Sequence, residues 1–383
     1  MKHICYKIIL IILVMITFSC SSDGTDGING IDGTDGADGI RRDENGSGIL
    51  ILSGDITNEE AARIVEENTG ENTHTIIVRN TTNLITLNLP KVLTLVKLQV
   101  NGNRNLQVVT MPNLNTTFEE LSIQSNASLE SINFPNLDTT YGSLTIASNE
   151  ALTTINCTKL IAVNTLNVYG NTSLENLSFP VLIEASNRLS ISNQENLTTL
   201  DLRSLTSANS ITIVRNERLT SIAFVNLTSS NSIEFSENPM LTTLQFNALE
   251  NIVTTISISN NNVLNTIAFP NLETVNSGNI TIREDLLETV DFSKLSTFSF
   301  LSIDSNVLLS SVNLSSIRDF TQLDLDSSGR LSTAAIDGLL TRLVNIVPAI
   351  TEKRISVTGV ASAQAQTHAE TLRNTGNTVT ISE

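Results

Sequence analysis

The chain is predicted to be all-β dominated: a right-handed parallel β-solenoid of about twelve coils, closed by helical caps at both ends. Three observations predict it. One pattern of apolar residues and asparagine returns about every 22 to 23 residues from residue 76 onward. Each repeat carries two apolar-x-apolar pairs, the period-2 signature of short strands with one face turned inward. Aromatic residues make up only 4% of the chain and Trp is absent, which suits thin, repetitive β-layers better than a bulky spherical core.

Written out, the repeat is apolar-x-apolar-x-x-Asn-x-x-Leu-x-x-apolar-x-apolar-Pro-x-Leu. Its clearest copy is Leu121, Ile123, Asn126, Leu129, Ile132, Phe134, Pro135 and Leu137. The next is Leu144, Ile146, Asn149, Leu152, Ile155, Cys157 and Leu160. A first copy starts at Ile76, and the others at Leu98, Leu166, Leu189, Ile211, Ile233, Ile256, Ile280, Leu301 and Leu323. Two pairs per repeat imply two strands per coil, stacked at about 4.8 Å.

The asparagine follows the first strand, at positions Asn103, Asn126, Asn149, Asn171, Asn216, Asn238, Asn261 and Asn306. An inward amide there can bond to backbone groups of its own and neighbouring coils, so these residues are expected to form a ladder. Thr81 and Gln194 occupy the same slot as substitutes. The second strand ends in Phe134, Phe179, Phe224, Phe246, Phe269 and Phe292, expected to stack as an internal column. Cys157 falls in that column and is read as a buried small hydrophobe rather than a reactive thiol.

This spacing resembles leucine-rich repeats, whose strand segment reads L-x-L-x-x-N. The next Leu comes three residues after the Asn instead of two, which is similar to the receptor L-domain type of leucine-rich β-helix and to bacterial surface proteins built on it. The resemblance covers roughly residues 76 to 331. It implies a fold and no single function, because members of such families bind unrelated partners.

A stack of this kind needs closed ends. Residues 48–75 read as an N-terminal cap. It comprises a strand at 49–52 and a helix opened by Thr57-Asn58-Glu59-Glu60, with Glu60 placed for a capping box. Residues 76–331 are the repeat solenoid. Residues 332–383 read as a C-terminal α/β cap, with helices at about 333–345 and 362–373 and strands near 355–357 and 379–381. These crossovers cover the edges of the stack.

The first residues carry an address. Lys2 and Lys7 precede the apolar run Ile8 to Ile16, and Thr17-Phe18-Ser19-Cys20 follows. A basic stretch, a short apolar run and a small residue form a secretory signal, predicted over 1–19. A lone Cys directly after it resembles the lipobox of bacterial lipoproteins, which implies lipidation of Cys20 and membrane attachment without a transmembrane helix. Segment 20–47 then carries Gly24, Gly27, Gly30, Gly33, Gly36 and Gly39 at every third position, with Asp26, Asp32, Asp35 and Asp38 before four of them. It resembles a short collagen-like tract. Having about six triplets and no Pro, it is read as an acidic tether, with calcium binding and trimerisation left open.

Net charge is −17, and loss of Lys2 and Lys7 with the leader makes the remainder more acidic still. Such a chain repels nucleic acid, so no nucleic-acid partner is expected. The body holds one cysteine, so no disulfide is expected within it. His74 and His368 lie in opposite caps, and the chain lacks a Gly-rich phosphate loop, His-x-x-x-His and Cys-x-x-Cys. The acidic pairs Glu119–Glu120 and Glu284–Asp285 read as solvated turn charges, with a glycosidase carboxylate pair as the alternative. An enzyme is not expected, and no cofactor beyond an optional calcium.

Two outward rows of the first strand remain. One runs Gln99, Ser122, Thr145, Asn167, Ser190, Thr212, Glu234, Ser257, Thr281, Ser302, Asp324. The other runs Asn101, Gln124, Ala147, Tyr169, Ser192, Val214, Ser236, Ser259, Arg283, Asp304, Asp326. They form a flat face of small polar side chains. Tyr169, Val214 and Arg283 are its candidate binding residues, and Asp304, Asp324 and Asp326 its weak calcium candidates. The expectation is a monomeric, non-catalytic lipoprotein of the outer membrane, displayed at the cell surface. It binds an extracellular protein or glycan partner. The alternative is a structural envelope protein without a specific ligand.

Overall fold

The computed structural model describes residues 46–284, 286–325 and 331–382. Cys20, the 1–19 leader, most of the 20–47 tether, Asp285 and Asp326 lie outside the described residues. Among the described residues there are 26 strands and three helices. Fifteen parallel strands make one continuous sheet, in the order β1 (Ile49–Gly54), β2 (Thr75–Thr81), then every even-numbered strand to β24 (Gln322–Leu325), then β25 (Arg354–Thr358) and β26 (Thr378–Ser382). The odd-numbered strands between them, three residues each, make two smaller parallel sheets: β3 (Thr86–Asn88), β5 (Val108–Thr110), β7 (Ser131–Asn133) and β9 (Thr154–Asn156) in one, and β11 (Asn176–Ser178) through β23 (Ser311–Asn313) in the other. The chain is a parallel β-solenoid with helical caps, as its periodicity predicts.

Each coil is built the same way. The long strand of the coil at 121 is β6, Thr116–Gln124, with Thr117, Leu121 and Ile123 turned inward. A turn at Asn126 leads to the short strand β7, Ser131–Asn133, and Phe134 closes the interior. The register repeats without slipping along the apolar pairs: Leu98 pairs Leu121, which pairs Leu144, which pairs Leu166. The Phe column forms as expected in the C-terminal half. Phe224, Phe246, Phe269 and Phe292 stack successively at 5.2, 4.8 and 5.3 Å between ring centroids. Phe235, from a first strand, closes edge-on against Phe224 and Phe246. The small-sheet ladder breaks between β9 and β11, at the coil where Cys157 stands in the Phe slot. Cys157 is fully buried there, and desolvation pushes its thiol up to about 12.

The caps replace the short strand with a helix. Helix α1, Asn58–Asn68, starts at Thr57, whose hydroxyl accepts from Glu60 N–H while the Glu60 carboxylate accepts from Thr57 N–H. At the other end come α2 (Thr333–Val344), β25 (Arg354–Thr358), α3 (Ala363–Asn374) and β26 (Thr378–Ser382). Ser332 and Ser362 cap the two helices through Ala335 N–H and Ala365 N–H. No helix of the described residues is long and apolar enough to cross a membrane.

The asparagine ladder is present and fully buried. Asn103 donates its main-chain N–H and its Nδ2 to Asn126 Oδ1, at 3.0 and 2.9 Å. Asn126 does the same to Asn149, and Asn149 to Asn171. From Asn103 to Asn261 each ladder asparagine Nδ2 also reaches a carbonyl of the preceding coil, such as Val100 O for Asn126, while that of Asn306 reaches Asp304 O in its own coil. The residue before each of these slots is left-handed: Asn80, Gly102, Ser125, Ser148, Gly170, Asn193, Arg215, Glu237, Asn260 and Ser305 all have positive φ.

Two members depart from the expected ladder. Gln194 does not substitute for Asn: its Oε1 and Nε2 are buried and unpaired, and Asn216 Oδ1 in the next coil is left without a donor. One extra methylene carries the amide past its partners. The second departure overturns the reading of Glu284 as a solvated turn charge. Its carboxylate is buried in the ladder slot, accepting from Asn261 N–H at 2.8 Å and Asn261 Nδ2 at 2.7 Å. The turn there is one residue shorter, with five positions from Ile282 to Leu287 against six from Ile258 to Leu264. Glu284 therefore takes the slot without a left-handed residue before it, and its longer side chain reaches Asn261. Asn306 follows, and its Oδ1 is unpaired: the carboxylate has no N–H to give, and the Glu284 main-chain N–H does not reach it either.

Candidate recognition face

The outward face of the fifteen-stranded sheet carries the candidate residues, and parallel register aligns them in one row. Tyr169 pairs Ser192, then Val214, Ser236, Ser259, Arg283 and Asp304. At the spacing between strands, Tyr169 and Val214 lie about 10 Å apart and Arg283 roughly 14 Å farther on. The three share a face and a row but do not form one cluster. Arg283 is engaged: its guanidinium pairs with the Asp304 carboxylate at 2.9 Å.

That pair also answers for one of the calcium candidates. Asp304 accepts from Arg283, Ser302 and Ser305, so its oxygens are already committed. Asp324 lies one strand on, beside Ser302, and Asp326 lies outside the described residues. Among the described residues no three His, Cys, Asp or Glu side chains converge as a metal site. His74 bonds Thr75 Oγ1 and His368 lies between Thr341 and Gln364, in opposite caps. Glu120 is held by Lys97 at 3.0 Å, while Glu119 is exposed.

The face is less open than a flat row of outward side chains implies. Ser122, Ala147, Ser236 and Ser302 are buried despite pointing outward. Ala147 shows why. The Tyr169 hydroxyl lies 3.5 Å from Gln124 Oε1, two strands back. Ala147 sits between them in register, so the tyrosine ring lies flat across it. Gln124 in turn donates to Ser122 Oγ at 2.6 Å. Tyr169 is thereby laid along the sheet over the buried Ala147 and stays partly exposed to solvent.

The structure adds aromatic residues that the two rows omit. Phe118 and Tyr141 stack nearly parallel, 8° between planes and 5.7 Å between centroids, at the upstream ends of β6 and β8 (Thr139–Ala147). Both described tyrosines thus sit on adjoining strands, β8 and β10 (Ala162–Tyr169), Tyr141 upstream of the register shift between Thr140 and Ser143 and Tyr169 at the downstream end. The signal for Tyr141 is Gly142 behind it. A Cβ there would lie 1.6 Å from Glu119 O, so the backbone passes too closely for any other residue.

Ion pairs decorate the rims. Arg215 grips Glu237 in the adjacent coil at 2.8 Å, and that hydrogen bond holds the Glu237 carboxyl below its ordinary range. On the small-sheet side, hydrogen bonding to Arg203 depresses Asp201 in the same way.

With this geometry the chain is defined as a parallel β-solenoid with an interior asparagine ladder. No protein-family model matches it, and no curated protein matches it. Among solved structures, the pneumococcal vaccine antigen PcpA is similar at 12% identity, over 89% of this chain and 90% of that one, with a TM-score of 0.23. A likeness of that score carries no argument about what this chain does.

Proposed function

We propose that this chain is a non-catalytic lipoprotein of the bacterial envelope, anchored through Cys20 and displayed at the cell surface. It recognises an extracellular partner through the outward face of the long sheet. The observation that carries the reading is Tyr169, laid along the sheet over Ala147 and partly exposed to solvent, in the same row as Val214. A rigid aromatic held by its own neighbours loses little conformational freedom on binding, which favours recognition. The lipobox-like Cys20 and the glycine tract after it support presentation at a distance from a membrane.

Replacing Tyr169 and Val214 together by Ala tests this. Recognition predicts loss of binding to cells or matrix with the melting profile retained. A structural envelope role is favoured by the small Ser and Thr side chains at 190, 192, 212, 257 and 259. It predicts unchanged attachment and, on deletion of the protein, a defect in envelope integrity.

A further inference from the structure

The region between Tyr141 and Tyr169 has a chemistry the rest of the face lacks. Along β8 the outward residues after Tyr141 are Ser143 and Thr145. Along β10 they are Thr165, Asn167 and Tyr169. Inward Leu144, Ile146, Leu166 and Val168 fix this alternation from Ser143 and Thr165 onward, and Tyr141, upstream of the register shift between Thr140 and Ser143, is placed at the surface by its exposure. The result is a strip roughly 20 Å long, with an aromatic ring at each end and hydroxyl or amide groups between. It contains no charge. The nearest acid, Glu120 on β6, is paired with Lys97, and the exposed Arg188 borders the strip on β12 (Glu184–Gln194), in register with Thr165.

Thr165 is occupied, accepting from Asn187 Nδ2 and donating to Asn164 Oδ1. Ser143 Oγ, Thr145 Oγ1 and the Asn167 amide have no side-chain or backbone partner of their own. They offer donors and acceptors to a ligand. Both ring anchors are fixed: Tyr141 by stacking on Phe118, Tyr169 by Ala147 beneath it and Gln124 beyond.

We infer that this strip binds a neutral polysaccharide, laid along the strands of β8 and β10. Sugar rings present an apolar C–H face and a rim of hydroxyls. The first suits the two tyrosine rings, and the second suits the free Ser, Thr and Asn groups between them. A protein partner would instead favour a desolvated apolar centre, and here the centre is hydroxyl and amide. An acidic polymer would need a row of cations along the floor, and the strip has one at its edge, Arg188. The inference rests on the recognition reading and names its ligand class.

The test uses the full chain in affinity electrophoresis against β-glucan, mannan and galactan as neutral polymers and alginate as an acidic one. Attachment to whole cells and matrix protein is measured in parallel. At least one neutral polymer should retard the wild-type chain. Tyr141→Ala and Tyr169→Ala should each weaken that binding about tenfold, with unchanged melting temperature, and Tyr169→Phe should retain most of it. If no neutral polymer binds, or binding is insensitive to both tyrosines, the inference is overturned. Should attachment to cells or matrix still depend on Tyr169 and Val214, recognition stands and only the ligand class is wrong. Should neither assay respond to any of these changes, both readings fall.

Discussion

The Glu284 carboxylate holds Asn261 by both nitrogens, Oε2 accepting from the main-chain N–H and Oε1 from Nδ2. It is an acidic member of an otherwise amide ladder, and its cost shows one coil later as the unpaired Asn306 Oδ1. Glu284→Ala leaves the buried Asn261 main-chain N–H unmet and takes from Asn261 Nδ2 its shortest bond, leaving it Phe235 O and Ser259 O, and should lower stability by about 1–3 kcal/mol in denaturant titration. Glu284→Gln keeps an acceptor for Asn261, removes the buried acid and offers an N–H toward Asn306, so it should equal or exceed the wild-type midpoint.

Gln194 makes the opposite prediction. Its amide is buried without partners and leaves Asn216 Oδ1 without a donor, while Asn171 still accepts from Asn149 and Asn216 still donates to Asn238. Gln194→Asn should connect the two halves of the ladder and add about 1 kcal/mol. Hydrogen exchange should then slow for the amides of neighbouring coils. An unchanged midpoint would mean that the ladder contributes little to coil-to-coil stability.

Three glycines separate close approach from mere conformational freedom. A Cβ on Gly142 or Gly278 would stand 1.6 or 1.3 Å from the carbonyl oxygen of Glu119 or Thr254, so Ala at either site should be strongly destabilising. Gly338 lies inside α2 with no atom within 4 Å of such a Cβ. Gly338→Ala should therefore stabilise by about 0.5–1 kcal/mol through helix propensity. Thermal melts of the three variants check the contrast.

Cys157 titrates with a definite sign. Burial raises its thiol from 9.0 to about 12, so the folded state keeps a proton that the unfolded state loses first. The corresponding stability is complete below pH 9 and falls as pH rises toward 12. At neutral pH a thiol reagent should label Cys157 at the rate of unfolding, not at the rate of an exposed cysteine.

The regular coils were legible because every turn has the same length, so counting from Leu-x-Leu lands on the ladder asparagine. The same count fails at Glu284, where one residue is missing and the slot moves from Asp285 to its neighbour. The aromatic strip was hidden for a different reason. Strands β6 and β8 extend upstream of their apolar pairs, and the inward residues there are Thr117 and Thr140, both buried hydroxyls. A polar residue facing inward erases the hydrophobic alternation that would have placed Phe118 and Tyr141 outward. Tyr169 was found because it follows a regular pair; its fixation over Ala147 depends on contacts across three coils.

A recognition role requires the face to lie outside the cell. Protease shaving of intact cells, comparing wild type with Cys20→Ala, measures this directly. Wild-type chain should be cut near residues 24–45 and its solenoid released into the medium, while Cys20→Ala should not be retained on the surface. Wild-type chain protected until the envelope is broken would contradict surface recognition and leave an envelope-facing structural role.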